Sequence, residues 1–424
     1  MRTRKISGII AAFLALLILL PLALPACGNL SGQLTGKPEK VVIYHFGDLS
    51  QLYAPVTTPK LSGFEDFAAW YNQEMHGVDG VPITYKYIDT GGKLNAALTA
   101  YETFKQSKPY PIVMVLYGTE ESVRLQRNFM DDGILCFTSG TPGIYPVGYE
   151  LATIPTYADS LGAFVGWLSD DWAPKTGQKV KLAILTWDSP YGKAIISDEV
   201  RQFIAARGVE LVYEDVFKPD EKDVTQHMQK IRDAGANWVY DNTLGQGPII
   251  ISSAAASLDM LNHDLYSTTP GKVHRATGPW GIDESSVILG GPLVEGMVGP
   301  RSIASWSMSE VDGIVKALTA FDKNGRKPSE RTIGYLDVWP VMYTIGHCMN
   351  QVVKEQGWEK LNGITLRDEF LKLKDFKPLG MTVYSFSANM PAPDQTMIFK
   401  IERGRLLPIT DWTTCPDLRS RALQ

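Results

Sequence analysis

The sequence has few cysteines and histidines for its length. Its 424 residues include four cysteines and six histidines. Four cysteines in a chain of this length exclude a disulfide-dense small protein. The histidines show no spacing typical of metal ligands, so we expect neither a metal nor a cofactor. A Cys348–Cys415 disulfide stays open as an alternative, whereas Cys136 fits a buried strand.

The sequence also lacks an excess of positive charge. Its 41 lysines and arginines face 46 aspartates and glutamates, which gives a formal net charge of −5. Nucleic-acid binding needs a basic surface, so we expect no nucleic-acid partner. The 44% hydrophobic and 21% charged residues are typical of a globular protein, and the length predicts two domains.

Motifs of the common enzyme classes are missing. The sequence contains no G-x-S-x-G, H-E-x-x-H or C-x-x-C, no P-loop, and no G-x-G-x-x-G after a predicted strand. No cysteine–histidine or serine–histidine pair stands out as a nucleophile with its base. We therefore expect a protein that is not an enzyme. An exported hydrolase is the alternative, although no nucleophile can be named for it.

A long apolar run occurs only at the N-terminus. Three cations among the first five residues precede the apolar stretch 9–24. This layout is typical of a secretory signal, and the stretch is shorter than the roughly 20 residues of a membrane span. An uncleaved membrane anchor is the alternative. The following stretch, up to residue 40, is rich in glycine, serine and threonine and fits a flexible tether.

Apolar periodicity predicts alternating strands and helices along the rest of the chain. Predicted strands are 41–44, 83–88, 112–117, 134–138, 180–186, 209–217 and 238–241. Predicted helices are 62–76, 94–104, 119–131, 158–172, 192–207, 221–234, 248–260, 308–322 and 331–355. Strict alternation favours an α/β fold of two doubly wound, Rossmann-like lobes. In such sheets, ligands bind beyond the carboxyl ends of the strands.

Several segments resemble a known family. Leu24-Pro25-Ala26-Cys27-Gly28 resembles the lipobox of bacterial lipoproteins, whose cysteine is lipidated and becomes the mature N-terminus. Further along stand VVIYHF with GDLSQLYAP, LYGTEES, GILCFTSGTP, WDSPYGKA and GYLDVWPVMYTI. With the order of elements, these segments resemble the periplasmic solute-binding proteins of branched-chain amino-acid ABC transporters. That family has the type I periplasmic binding fold.

The resemblance implies an organisation and a set of partners. It implies two lobes joined by a three-strand hinge that closes over a small solute. Partners would be that solute, the permease subunits of an ABC importer and, through the lipid anchor only, the membrane. The protein would be exported, lipid-anchored and monomeric. The expected boundaries are a signal peptide over 1–26, a tether over 27–40, an N-lobe over 41–155 and 300–390, and a C-lobe over 156–299 and 391–424.

The resemblance also implies ligand contacts in the loops after the strands. Hydroxyl and backbone N–H groups at a helix N-terminus would hold a polar group of the ligand, and aromatic rings would pack on its body. Simple capping, turn formation and packing are the structural alternatives. The candidate residues are Tyr53, Tyr117, Thr119, Ser139, Gly140, Thr141, Trp187, Tyr191, Asn242 and Tyr335.

The charge pattern near these loops bears on the ligand. Amino-acid binders of the family pair the ligand ammonium with an acid in the second lobe, and the matching stretch at 267–272 has none, although Asp241 or Glu295 could substitute. We therefore expect a ligand other than a standard branched-chain amino acid, such as an aromatic or aliphatic acid, an amide or a urea-like compound. Tight leucine binding in calorimetry would contradict this. A ligand sensor for a chemoreceptor or kinase is the alternative function.

Overall fold

The computed structural model describes residues 34, 36–141 and 148–419. The expected signal peptide over 1–26 and the expected lipidation site Cys27 lie outside the described residues. The strands are β1 Val41–Gly47, β2 Ile83–Asp89, β3 Val113–Leu116, β4 Leu135–Thr138, β5 Glu150–Ala152, β6 Lys181–Trp187, β7 Glu210–Phe217, β8 Trp238–Asp241, β9 His274–Thr277, β10 Val298–Arg301, β11 Gln395–Glu402, β12 Arg405–Pro408 and β13 Thr413–Thr414.

Fourteen α-helices are assigned among the described residues. They are α1 Ala54–Thr57, α2 Pro59–Glu74, α3 Leu94–Lys105, α4 Thr119–Asp132, α5 Tyr157–Trp167, α6 Ala173–Thr176, α7 Pro190–Lys193, α8 Asp198–Ala206, α9 Thr225–Asp233, α10 Gly247–Ser257, α11 Glu284–Gly290, α12 Asp312–Lys323, α13 Ile333–Gln356 and α14 Gly363–Phe370. A π-helical segment, Leu168–Trp172, joins α5 to α6.

The first sheet has five parallel strands in the order β2-β1-β3-β4-β5. Its central strands β1, β3 and β4 are buried along their whole length, because helices cover both faces. Such strands read in the sequence as short apolar runs rather than as alternating patterns. Strand β2 lies at the edge and is only partly buried.

The second sheet follows the order β12-β11-β10-β9-β8-β6-β7, with β13 paired to β11. Strands β6 to β10 run parallel, and β11 pairs antiparallel with both β10 and β12. The chain passes between the two sheets three times: after β5, after β10 and before β11. These features confirm the predicted α/β fold with two doubly wound sheets, although β11 adds antiparallel pairings at one edge of the second sheet.

Helices from the segment between β10 and β11 return to the first sheet. The long helix α13 packs against α2, which follows β1. Backbone bonds also tie the passages together: Ala304 N–H donates to Met381 at 2.8 Å, and Ala152 N–H donates to Pro391 at 2.8 Å. Helix α13 therefore packs on the side of the first sheet on which α2 lies.

The structure corrects the sequence prediction at several elements. The helix expected over 192–207 is two helices, α7 and α8, interrupted at residues 194–197. Gly118 rather than Thr119 is the N-cap of α4. The sequence pattern also missed β5, β9, β10, α11 and α14. Strand β9 reads His-Arg-Ala-Thr, so its residues carry no apolar signal although all four are buried.

The cysteines of the described residues form no disulfide. Cys136, Cys348 and Cys415 are all free and buried. The Cys348–Cys415 pairing that the sequence left open is therefore absent, and Cys136 lies in β4 as expected. Burial raises the pKa of each thiol above its usual value. No helix within the described ranges has the length and apolarity needed to cross a membrane.

Burial of Glu150 predicts a pH dependence of stability. This β5 residue is 2% exposed and accepts a hydrogen bond from the Ser122 hydroxyl at 3.0 Å. Burial raises its pKa from 4.5 to about 8, against the effect of Ser122. The folded chain therefore retains a proton between these pH values that the unfolded chain has lost, so this contribution to stability falls as pH rises toward 8.

Glu150→Gln should remove this dependence, because glutamine mimics the protonated carboxyl. We expect the variant to be more stable than the parent by about 4 kcal/mol at pH 8 and nearly unchanged at pH 4.5. Urea unfolding at both pH values measures the difference. Glu120→Gln, at an exposed position, is the control and should have little effect. An equal gain at both pH values would contradict the assigned titration.

Candidate ligand-binding site

A cavity lies where loops and helices from both sheets meet, at the carboxyl ends of their strands. Its open centre has a volume of only about 20 Å³, room for roughly one water molecule. A larger solute therefore enters only when the walls move apart. The lining residues are Tyr53, Val56, Thr57, Lys60, Tyr117, Thr119, Ser139, Tyr157, Tyr191, Leu244 and Trp280.

Among the lining residues that the structure describes, Lys60 is the one that carries a charge. It lies in the first turn of α2, is completely buried, and its ammonium is 2.5 Å from the carboxylate of the equally buried Asp337 on α13. Burial lowers the pKa of Lys60 to about 8, and Asp337 acts against that shift. The neighbouring His45 on β1 is kept neutral, because burial and then Lys60 lower its pKa to about 3.

The Lys60 ammonium also contacts two aromatic rings. It lies 3.3 Å from the centre of the Tyr117 ring and 4.7 Å from that of Trp280. Tyr117 follows β3 of the first sheet, whereas Trp280 follows β9 of the second. The cation–π contacts therefore join the two sides of the cavity.

Three polar groups meet at the Tyr157 hydroxyl. Burial raises the pKa of Tyr157 to about 12, and the side chains of Ser139, Trp280 and Thr119 oppose the shift by hydrogen bonding. Tyr157 is the first residue of α5, and its N–H donates to Gly140 at 3.1 Å. The arrangement offers a solute a cluster of hydroxyl groups inside an aromatic wall.

Aromatic rings close the cavity from both sides. Tyr53, just before α1, lies 6.2 Å edge-on from Tyr191 in α7 and 6.4 Å from Trp187, the last residue of β6. Tyr157 packs on Tyr191 at 4.9 Å in a T-shaped contact. The Tyr191 hydroxyl donates to the Thr243 carbonyl at 3.2 Å, which fixes its ring. These contacts hold the two sides together above the hydroxyl cluster.

The first turn of α4 carries a buried carboxylate. Glu121 is 7% exposed, and its carboxyl group folds back over Gly118, where any side-chain carbon would overlap it. Burial raises the pKa of Glu121, while a hydrogen bond from its own backbone N–H opposes the shift. Glycine at 118 thus leaves space for a carboxylate at the helix N-terminus.

The structure places the predicted site residues in two groups. Tyr53, Tyr117, Thr119, Ser139 and Tyr191 line the cavity. The others are not part of the lining. They are Gly140, packed against Pro155; Thr141, bonded to the Thr138 hydroxyl; Trp187, beside Tyr53; Asn242, donating to the Tyr191 carbonyl; and Tyr335, donating to Asp66.

The expected position of a ligand-pairing acid was wrong. The stretch 267–272 precedes β9 and lines a different cavity together with Trp172 and Lys179, so its lack of acids says nothing about the solute. Asp241 accepts bonds from the Thr243 N–H at 3.0 Å and the Thr277 hydroxyl at 2.8 Å. Glu295 accepts from the Arg403 N–H at 2.6 Å. Neither carboxylate lines the cavity.

Sequence reasoning missed Lys60, Tyr157 and Trp280. A signal for Lys60 exists, because it stands four residues before Phe64 on the apolar stripe of α2, where a lysine is unusual. Tyr157 directly follows the N-cap Thr156 of α5 at the first passage between the sheets. Trp280 follows β9, which has no apolar signal, so its place could not be predicted.

The model of one protein family, described as periplasmic binding protein, matches residues 41–401. The chain belongs to the periplasmic binding protein family. Its fold is the type I periplasmic binding fold, as the resemblance implied. Members of this family are binding proteins. No curated protein matches the chain significantly.

Solved structures with the same fold come from several organisms. A branched chain amino acid ABC transporter protein from Thermus thermophilus, with bound valine, is 17% identical, with a TM-score of 0.78 over 90% of this chain and 98% of that one. An ABC transporter substrate binding protein from Aeropyrum pernix is 17% identical, with a TM-score of 0.74 over 90% and 97%. A fatty acid ABC transporter substrate-binding protein from Thermomonospora curvata is 17% identical, with a TM-score of 0.73 over 91% and 95%.

Proposed function

We propose that this periplasmic binding protein captures a small solute between its two lobes and delivers it to an ABC importer. One observation carries the proposal: the cavity is lined from both sheets by residues that follow the carboxyl ends of their strands. Its small open centre fits a closed form of a clamshell. Opening and reclosing would be a hinge motion at the three passages between the sheets.

The lining defines the chemistry of the solute. Aromatic rings and the apolar side chains of Val56 and Leu244 suit an apolar or planar body, and the Thr119, Ser139 and Tyr157 hydroxyls suit a polar group. The similar structures are named for substrates as different as a branched-chain amino acid and a fatty acid. We propose an amino acid-like compound, an aromatic or aliphatic acid, an amide or a urea-like compound.

The cell-surface location is a second part of the proposal. We propose that the signal over 1–26 is removed, that Cys27 is lipidated, and that residues 27–40 tether the binding body to the membrane. The N-lobe would comprise 41–155 and 300–390, and the C-lobe 156–299 and 391–424. Genes for two permeases and two ATPases beside this one would support the importer, and a chemoreceptor or kinase gene there would support a sensor.

A thermal-shift screen of residues 28–424 tests solute capture. A solute that binds only the folded state, at 100 times its Kd, stabilises it by about 2.7 kcal/mol. For the solute found, Trp280→Ala should weaken binding about 100-fold, because an aromatic wall is lost. Trp358→Ala, whose indole bonds to Asp79 away from the cavity, is the control and should bind normally. Equal binding by both variants would contradict the assigned site.

A further inference from the structure

Two charged side chains of the protein occupy positions that suit the charged groups of a solute. The first is Glu121. The N-terminus of an α-helix attracts anions through its free N–H groups and its dipole. At the N-terminus of α4, beside the cavity residue Thr119, that position is taken by the protein's own carboxylate, folded over Gly118 and buried.

The second is Lys60. Aromatic faces that converge on one point form a site for a cationic ligand. Here the Tyr117 and Trp280 rings converge on the Lys60 ammonium, at 3.3 and 4.7 Å. The Lys60 ammonium therefore occupies the space between these rings that a ligand ammonium could use.

The charged residues at the cavity offer no unpaired opposite charge to an ionic solute. The Lys60 ammonium is matched by the Asp337 carboxylate at 2.5 Å, and no other described residue of the lining carries a charge. A carboxylate entering the cavity would meet a matched pair and the nearby Glu121, and a buried anion without a partner is costly. An ammonium would find no acid among the described residues of the lining.

We infer that the solute carries neither a carboxylate nor an ammonium group: it is a neutral molecule with an apolar or planar body and a hydrogen-bonding group such as an amide. The polar group would bind to the hydroxyl groups of Thr119, Ser139 and Tyr157, and the body to the aromatic walls. This inference rests on the proposed capture function and narrows its range of solutes.

Matched compounds that share a body test the inference. The first set is benzamide, benzoate, benzylamine and phenylglycine; the second is isovaleramide, isovalerate, isopentylamine and leucine. Each is titrated at pH 7 into residues 28–424 by calorimetry, with thermal shift alongside. We expect the amide of at least one set to bind, with the acid, amine and amino acid of that set at least about tenfold weaker.

Two variants separate Glu121 from its neighbour. Glu121→Gln removes the resident carboxylate charge from the N-terminus of α4, and should strengthen binding of the acid about tenfold. Glu120→Gln removes a charge one residue away, at an exposed position, and should leave the acid as weak as in the parent.

The outcomes are distinct. Acid or amino-acid binding by the parent as tight as amide binding would overturn the inference, while solute capture itself would stand. An equal response of both glutamate variants would overturn the role given to Glu121. Lack of binding by every compound of both sets would count against the capture function together with the inference. Amide preference in the parent with acid binding gained only in Glu121→Gln would support it.

Discussion

Replacing Asp337 by alanine should destabilise the protein by about 3–5 kcal/mol. The reason is that Lys60 would remain in a fully buried position without the carboxylate that it contacts. A buried ion pair contributes little net stability, but breaking it by removing one partner leaves an uncompensated charge. Chemical unfolding at pH 7 measures the loss. The size of this loss also indicates how much the Lys60–Asp337 pair contributes to the packing of α2 against α13.

Two further variants complete this test. The double variant Lys60→Met with Asp337→Leu removes both charges together and should recover most of the lost stability. Asp188→Ala removes an exposed ion pair with Lys193 and should cost no more than about 1 kcal/mol. If Asp337→Ala cost as little as the exposed control, the Lys60 ammonium would have to reach water in the folded protein.

Replacing Arg301 by methionine should have a comparable effect, again about 3–5 kcal/mol. Arg301 ends β10 where the chain leaves the second sheet, and its side chain is completely buried. Its guanidinium donates to the Ile303 carbonyl at 2.9 Å and to the Glu284 carboxylate at 3.0 Å. Methionine fills similar space but leaves these acceptors without a donor.

Loss of the Arg301 side chain should affect more than its own hydrogen bonds, because it lies beside a second group that joins two helices. Near it, Asp283 accepts bonds from Glu284 N–H in α11 and from Ile333 N–H at the start of α13, both at 2.7 Å. Arg301→Lys keeps the charge but loses the planar fork of donors, so it should fall between parent and methionine variant. The exposed Arg405→Met is the control. An intact stability in Arg301→Met would contradict the assigned network.

The fold could be predicted from the sequence wherever buried elements show as runs or periodic patterns of apolar residues. Apolar runs such as 238–241 became strands because both faces of a parallel sheet are covered. The apolar pattern is missing at β9. There the buried Arg275 donates hydrogen bonds to the Glu295 carbonyl at 2.6 Å and to the Ser252 hydroxyl at 3.1 Å. A strand with polar residues satisfied by distant partners cannot be distinguished from a loop by local pattern.

The candidate site was predictable in outline but not in its charges. Loops after first-sheet strands supplied Tyr53, Thr119 and Ser139 to the lining, because parallel strands bring their carboxyl ends together. The Lys60–Asp337 pair joins residues 277 positions apart, and no local pattern indicates such a contact. Whether those residues hold the solute stays a prediction.

The three buried thiols offer a route to watching closure directly. Thiols that are inaccessible and held protonated react slowly with maleimides, since the thiolate is the nucleophile. In residues 28–424, which leave out Cys27, a cysteine introduced at Val123 on α4 and another at Ile288 on α11, each 53% exposed, could therefore carry a dye pair without first removing the three buried cysteines. The energy transfer between the dyes would then report, molecule by molecule, how long each open or closed state lasts.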